Sequence, residues 1–133
     1  MNASLQLFPE GGSGTLFFTL TFGAIPVGTS GTYETVLPRN RRFAFTSAVI
    51  LRDTSGRPAV QPTVTVEEIH PDDSLCQPIV GTVQLADGFD MVQAPIAAVE
   101  AGWEGDRVRV TVEATEEEGV GGTLGVVISG FAV

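Results

Sequence analysis

The sequence predicts an all-β protein, a single antiparallel β-sandwich of about eight strands. Three observations predict it. Apolar and polar residues alternate in short runs, which is the two-residue period of a strand with one buried face. Turn formers punctuate those runs, with 16 glycines and 8 prolines among 133 residues, and helix interiors tolerate neither well. Long apolar periodicity of the helical kind is absent. Hydrophobic residues make up 43% of the chain, enough to build a core and too many for a disordered segment.

Taken from the N-terminus, residues 4–8 form a short strand candidate followed by the hinge-like run Gly11-Gly12-Ser13-Gly14. Residues 1–14 therefore read as an N-terminal arm and residues 15–133 as the sandwich domain. The arm has two readings: a frayed terminus with a short edge strand, or a segment that offers Leu5 and Leu7 to a neighbouring chain. Residues 15–22 alternate, with Leu16, Phe18, Leu20 and Phe22 on one face. Thr15, Thr19 and Thr21 lie on the other, where Phe17 is an apolar exception. A Gly-rich turn leads to a strand over residues 32–37, which Pro38 stops. Residues 42–52 form the longest candidate, with Phe43, Phe45, Val49 and Leu51 expected on one face. Residues 63–69 alternate with Val64 and Val66 inward and Thr63, Thr65 and Glu67 outward. Residues 70–78 are polar and bounded by prolines, the composition of a loop. Short strands are expected over 79–85 and 88–92, residues 96–99 read as either strand or loop, and 100–106 read as loop.

Residues 107–114 give the cleanest alternation, with Val108, Val110 and Val112 inward and Arg107, Arg109, Thr111 and Glu113 outward. The last strand, residues 123–133, differs. Leu124, Val126, Ile128 and Ala132 fill one face, and Val127, Phe131 and Val133 sit on the other. Apolar residues on both faces mean that both are covered, either by the rest of this chain or by a neighbouring subunit. The expected core is Leu16, Phe18, Leu20, Phe43, Phe45, Val49, Val64, Val66, Val108, Val110, Val112, Leu124, Val126 and Ile128.

Charge narrows the function. The net charge is −9, which argues against nucleic acid, because phosphates demand basic surface. Five of the seven cations, Arg39, Arg41, Arg42, Arg52 and Arg57, lie close together, while thirteen of the sixteen acids fall between Glu67 and Glu118. The turn holding Arg39, Arg41 and Arg42 is either solvated surface or a contact for the acidic loops of another copy. No apolar run is long enough to span a bilayer, and no signal peptide is visible, so the expectation is synthesis in the cytoplasm and no membrane partner.

Candidate chemistry is sparse. Cys76 is the one cysteine, so no intrachain disulfide forms. His70 is the one histidine and reads as a surface-loop residue. With His70 and Cys76 alone as nitrogen and sulfur donors, a zinc site is not expected. Acidic turns such as Asp72-Asp73 and Glu116–Glu118 lack the ordered ligand spacing of a calcium loop, and read as solvated turns or a weak calcium site. No strained serine motif accompanies the histidine. The expectation is no catalytic residue, no cofactor and no metal. Trp103, between Gly102 and Glu104-Gly105, either caps the sandwich or anchors a partner.

The succession of segments resembles small β-sandwich proteins of tailed-bacteriophage particles, of the capsid-decoration and tail or fibre types. It runs from Tyr33 to Pro38, through Arg42-Phe43-Ala44-Phe45-Thr46-Ser47-Ala48-Val49 and Pro62 to Val66. It ends with Ala101-Gly102, an Arg-Val-Arg-Val-Thr-Val strand and Ser129-Gly130-Phe131. The likeness covers residues 33–133, and the acidity and the N-terminal arm depart from it. It implies a jelly-roll-like, non-enzymatic virion protein, often trimeric, that decorates and stabilises the capsid by contacts with itself and with the major capsid protein or another virion protein. The alternative is a tail or fibre module that binds a cell-surface glycan. The interface candidates on either reading are Leu5, Leu7, Arg39, Arg41, Arg42, Trp103, Val127, Phe131 and Val133.

Overall fold

In the computed structural model, the described residues are 2–9, 16–26, 30–38, 42–53, 63–70, 76–84, 91–94, 106–113 and 123–132. Among them lie nine strands: β1 (Asn2–Pro9), β2 (Leu16–Pro26), β3 (Gly31–Val36), β4 (Phe43–Asp53), β5 (Thr63–Ile69), β6 (Cys76–Gln84), β7 (Met91–Ala94), β8 (Arg107–Glu113) and β9 (Thr123–Ala132). They form two antiparallel sheets, a five-stranded one in the order β1-β2-β9-β4-β7 and a four-stranded one in the order β3-β8-β5-β6.

The pairing explains the order. β2 pairs β9, β3 pairs β8, β4 pairs β7 and β5 pairs β6. The chain from β2 to β9 is thus one long nested hairpin, with β5 and β6 at its tip. Rolling that hairpin up brings β4 beside β9 and β5 beside β8, and the result is a jelly roll. β1 is the ninth strand, added at the open side of β2 with Leu5 opposite Leu20 and Phe8 opposite Phe17.

The core fills the space between the sheets. Phe18, Leu20 and Phe22 from β2, Phe43 and Phe45 from β4, and Leu124, Val126 and Ile128 from β9 meet Val64 and Val66 from β5 and Val108, Val110 and Val112 from β8. Phe18 stands edge-on to both Phe43 and Phe45, at centroid distances of 5.1 and 5.9 Å, a favoured aromatic geometry. Expected core residue Leu16 is only partly buried, packed against this cluster from the end of β2.

Two bulges change which residues face inward. In β4 the register slips between Phe45 and Ser47, so Thr46 is an extra residue. Beyond it Ala48 and Ile50 point into the core, while Val49 is only half-buried and Leu51 is exposed. The expected inward placement of Val49 and Leu51 is therefore corrected: simple alternation holds only up to the bulge. The Thr46 hydroxyl donates to the Ser129 carbonyl at 3.3 Å, which ties the bulge to β9. β2 slips likewise between Phe22 and Ile25 and buries both. The expected loop over residues 70–78 is also shorter, since β6 begins at Cys76, opposite Ile69. The short strand expected over 88–92 is observed at Met91–Ala94, and residues 96–99 lie outside the described residues.

Gly130 shows how tightly β4 and β9 meet. A Cβ there would collide with the Ala44 carbonyl and lie 3.1 Å from a Phe18 ring carbon. Only glycine lets the backbone pass this close.

Candidate functional site

The outward face of the five-stranded sheet is built by strand register. Residues directly opposite in an antiparallel pair share a face. Phe8 opposes Phe17, Phe17 opposes Phe131, and Phe131 opposes Ala44. The result is one row of phenylalanines across β1, β2 and β9, with ring centroids 6.2 Å apart for Phe8–Phe17 and 6.1 Å for Phe17–Phe131. All three point away from the core. Phe8 is 43% and Phe131 38% exposed, and Phe17 is half-buried between them.

The next row is Gln6, Thr19, Ser129 and Ser47, and the one after it Ser4, Thr21, Val127 and Val49. Leu51, 42% exposed, extends the face beyond Val49. None of these three rows contains a charged residue, in a chain whose net charge is −9.

The outward face of the four-stranded sheet is different. Glu34 of β3, Arg109 of β8 and Glu67 of β5 lie in one row, and Val36, Arg107 and Ile69 in the next. Arg109 Nε donates to Glu34 Oε1 at 2.6 Å, and Arg107 donates to Glu34 Oε2 at 3.2 Å, so two guanidinium groups share one carboxylate. Arg107 also donates to the His70 carbonyl at 3.4 Å.

A third feature lies on the core side of β5 and β8, at one end of the sandwich. Glu68 follows Val64 and Val66 on the inward face of β5, and Asp106, immediately before β8, keeps the inward parity of Val108. Both carboxylates are buried, and one donor atom from each of Glu68, His70 and Asp106 lies within 4.8 Å of the others. The Asp106 carbonyl accepts a 2.8 Å hydrogen bond from the Leu37 amide, which fixes this end of β8 against the end of β3. His70 lies outside the strands as expected, but its side chain is half-buried rather than fully exposed. It follows β5 directly, its side chain is 22% exposed, and its Nε2 lies 3.9 Å from Asp106 Oδ2.

Of the interface candidates, Val127 and Phe131 stand on the uncharged face. Leu5 packs against this chain's own core, and Leu7, on the same inward side of β1, is 36% exposed. That exposure follows from the strand count, because β1 is the fifth strand of a sheet that faces only four. Arg42 is exposed just before β4. Arg39, Arg41, Trp103 and Val133 lie outside the described residues.

Phe17 and Phe131 stand out in the sequence as outward apolar residues, but Phe8 does not, because its place depends on the β1–β2 register. Nor does the Glu68–His70–Asp106 grouping stand out. A usable signal was present: Glu68 and His70 keep the parity of Val64 and Val66, and Asp106 keeps that of Val108 and Val110.

No protein-family model matches this chain, and a search of curated proteins finds no match.

Proposed function

We propose that this protein is a structural component of a bacteriophage particle, which self-associates through the outward face of its five-stranded sheet and decorates the capsid. One observation carries the reading: the phenylalanine row and its two neighbouring rows hold no charge, although the chain is strongly acidic. Charge depletion and aromatic enrichment mark the centres of protein interfaces. Copies of an acidic chain repel one another over most of their surface, so a neutral face is where they can meet. The occupant of that face is another copy of the chain, and in a closed trimer the two edges of the face meet different neighbours around a threefold axis, which leaves no free end. The jelly roll supports the same reading, since viral capsid domains use it widely. The mechanism is passive: bound copies favour the assembled shell by mass action.

The test is Phe17→Glu combined with Phe131→Glu, followed by light scattering at micromolar concentration and circular dichroism. The parent is expected near three times 13.9 kDa, and the double variant as a folded monomer. A parent that stays monomeric sinks the self-association reading. Gold-labelled antibody on purified particles tests the virion assignment separately, and unlabelled particles would overturn it.

A further inference from the structure

We infer that Glu68, His70 and Asp106 form a binding site for a divalent transition-metal ion of the Zn²⁺ or Mn²⁺ kind. Three donors of metal-ligating type converge from the adjacent ends of two neighbouring strands, Glu68 within β5, His70 just after β5 and Asp106 just before β8, with their ligand atoms within 4.8 Å of one another. Register brings them together. Ile69 opposes Arg107, so the inward positions that flank this pair belong to Glu68 on β5, His70 just after it, Asp106 just before β8, and Val108 on β8.

The surroundings set this cluster apart from an ordinary acidic surface. Glu68 is 4% and Asp106 0% exposed, at the end of a face otherwise lined by valines. Two buried carboxylates and an imidazole converge at this point, and a divalent cation placed there would interact with both negative charges at once. His70 adds a nitrogen donor whose side chain is in partial contact with solvent.

The spacing suits an ion. His70 Nε2 and Asp106 Oδ2 are 3.9 Å apart, too far for a hydrogen bond. Zinc–ligand bonds of ~2.0–2.2 Å place adjacent donors ~3.4 Å apart in a tetrahedral site, so the His70–Asp106 pair contracts by ~0.5 Å and the remaining donor distances by up to ~1.4 Å to close the shell. Two carboxylates and one imidazole, with water at the open position, match the ligand preferences of Zn²⁺ and Mn²⁺. Ca²⁺ prefers six to eight oxygens and is the poorer occupant. The consequence is structural. The ion would clamp β5 to β8 at the end where the Leu37 amide holds β3.

His70 is the one histidine in the chain, so its ring resonances report on this site without ambiguity. The experiment adds Zn²⁺, and in parallel Mn²⁺ and Ca²⁺, to the metal-stripped full chain and follows calorimetry, melting temperature and the imidazole ¹⁵N shifts. The expected result is one Zn²⁺ per chain, a melting temperature raised by several degrees, a shifted His70 ring nitrogen, and Ca²⁺ weaker by at least tenfold. Asp106→Asn, Glu68→Gln and His70→Ala should each weaken Zn²⁺ binding at least tenfold, while Cys76→Ser should not. Absence of saturable binding, an unmoved His70 ring, or full affinity in the Glu68→Gln and His70→Ala variants would overturn the site. If Asp106→Asn fails to fold, the ring shifts of the parent and the other two variants still decide it.

Discussion

The two outward faces of this sandwich obey the same strand geometry and carry opposite chemistry. On the four-stranded sheet, Glu34, Arg107 and Arg109 answer one another across β3 and β8, and threonines fill the neighbouring positions Thr32, Thr111 and Thr65. That face is largely polar, with the exposed Val36 and the buried Ile69 its apolar exceptions. On the five-stranded sheet, Phe8, Phe17 and Phe131 line up beside uncharged rows. Exposed ion pairs are screened and replaceable, whereas exposed aromatic rings cost hydration until something covers them. The contrast teaches that burial inside the chain is not the only pressure on a strand. β9 satisfies the core with Leu124, Val126 and Ile128 and uses its other side, Val127 and Phe131, for a second surface.

The contrast breaks most completely if β9 loses its place between β2 and β4. Gly130→Ala inserts a methyl group against the Ala44 carbonyl and the Phe18 ring. Overpacking of a tight site costs about 1–3 kcal/mol, and here the obstacle is backbone, so the upper end is expected. Thermal unfolding of the purified variant measures it. A melting temperature equal to the parent's would mean that β4 yields easily at its bulge.

A smaller effect sharpens the comparison. Thr19 stands in the row beside the phenylalanines, between Gln6 and Ser129. Thr19→Lys should leave the melting temperature of the dissociated chain nearly unchanged, because the residue faces outward. It should weaken self-association by at least tenfold, because a buried unpaired charge is strongly unfavourable. Thr65→Lys, at an outward position of the other sheet, should leave association as it was. Equilibrium sedimentation of both variants gives the answer, and equal effects would erase the distinction between the faces.

How much of this was legible in the sequence depends on whether parity survives along each strand. In β8 it does: Val108, Val110 and Val112 are buried and their neighbours half-exposed, as alternation requires. In β4 it fails after Phe45, because nothing in Phe45-Thr46-Ser47-Ala48 announces an extra residue, and Val49 and Leu51 trade places with Ala48 and Ile50. The phenylalanine row needs two registers, β1 with β2 and β2 with β9, and registers depend on turns as well as on patterns. The Glu68–His70–Asp106 grouping needs β5 and β8 to be neighbours, which only the rolled-up hairpin provides. Strand identity was thus local information, and so were the inward residues wherever no bulge intervenes, whereas what joins distant strands was not.

The mildest test lies on the charged face. Glu34→Gln removes the carboxylate that Arg107 and Arg109 share. The amide oxygen still accepts one hydrogen bond, and Arg109 still stands opposite Glu67 in the register with β5. Glu34 is 30% exposed on its side chain, so water screens part of the interaction. The expected loss is therefore about 0.5–1 kcal/mol, a shift of a few degrees in the melting temperature. Because the lost term is electrostatic, the gap between parent and variant should narrow as salt rises to ~1 M, where the Debye length is ~3 Å. Self-association should not change at all, since this face lies on the opposite side of the sandwich from the phenylalanine row. A Glu34→Gln variant that dissociates as the Phe17→Glu and Phe131→Glu pair is expected to would show that the ion-paired face is itself an interface, and the contrast between the two sheets would then fall.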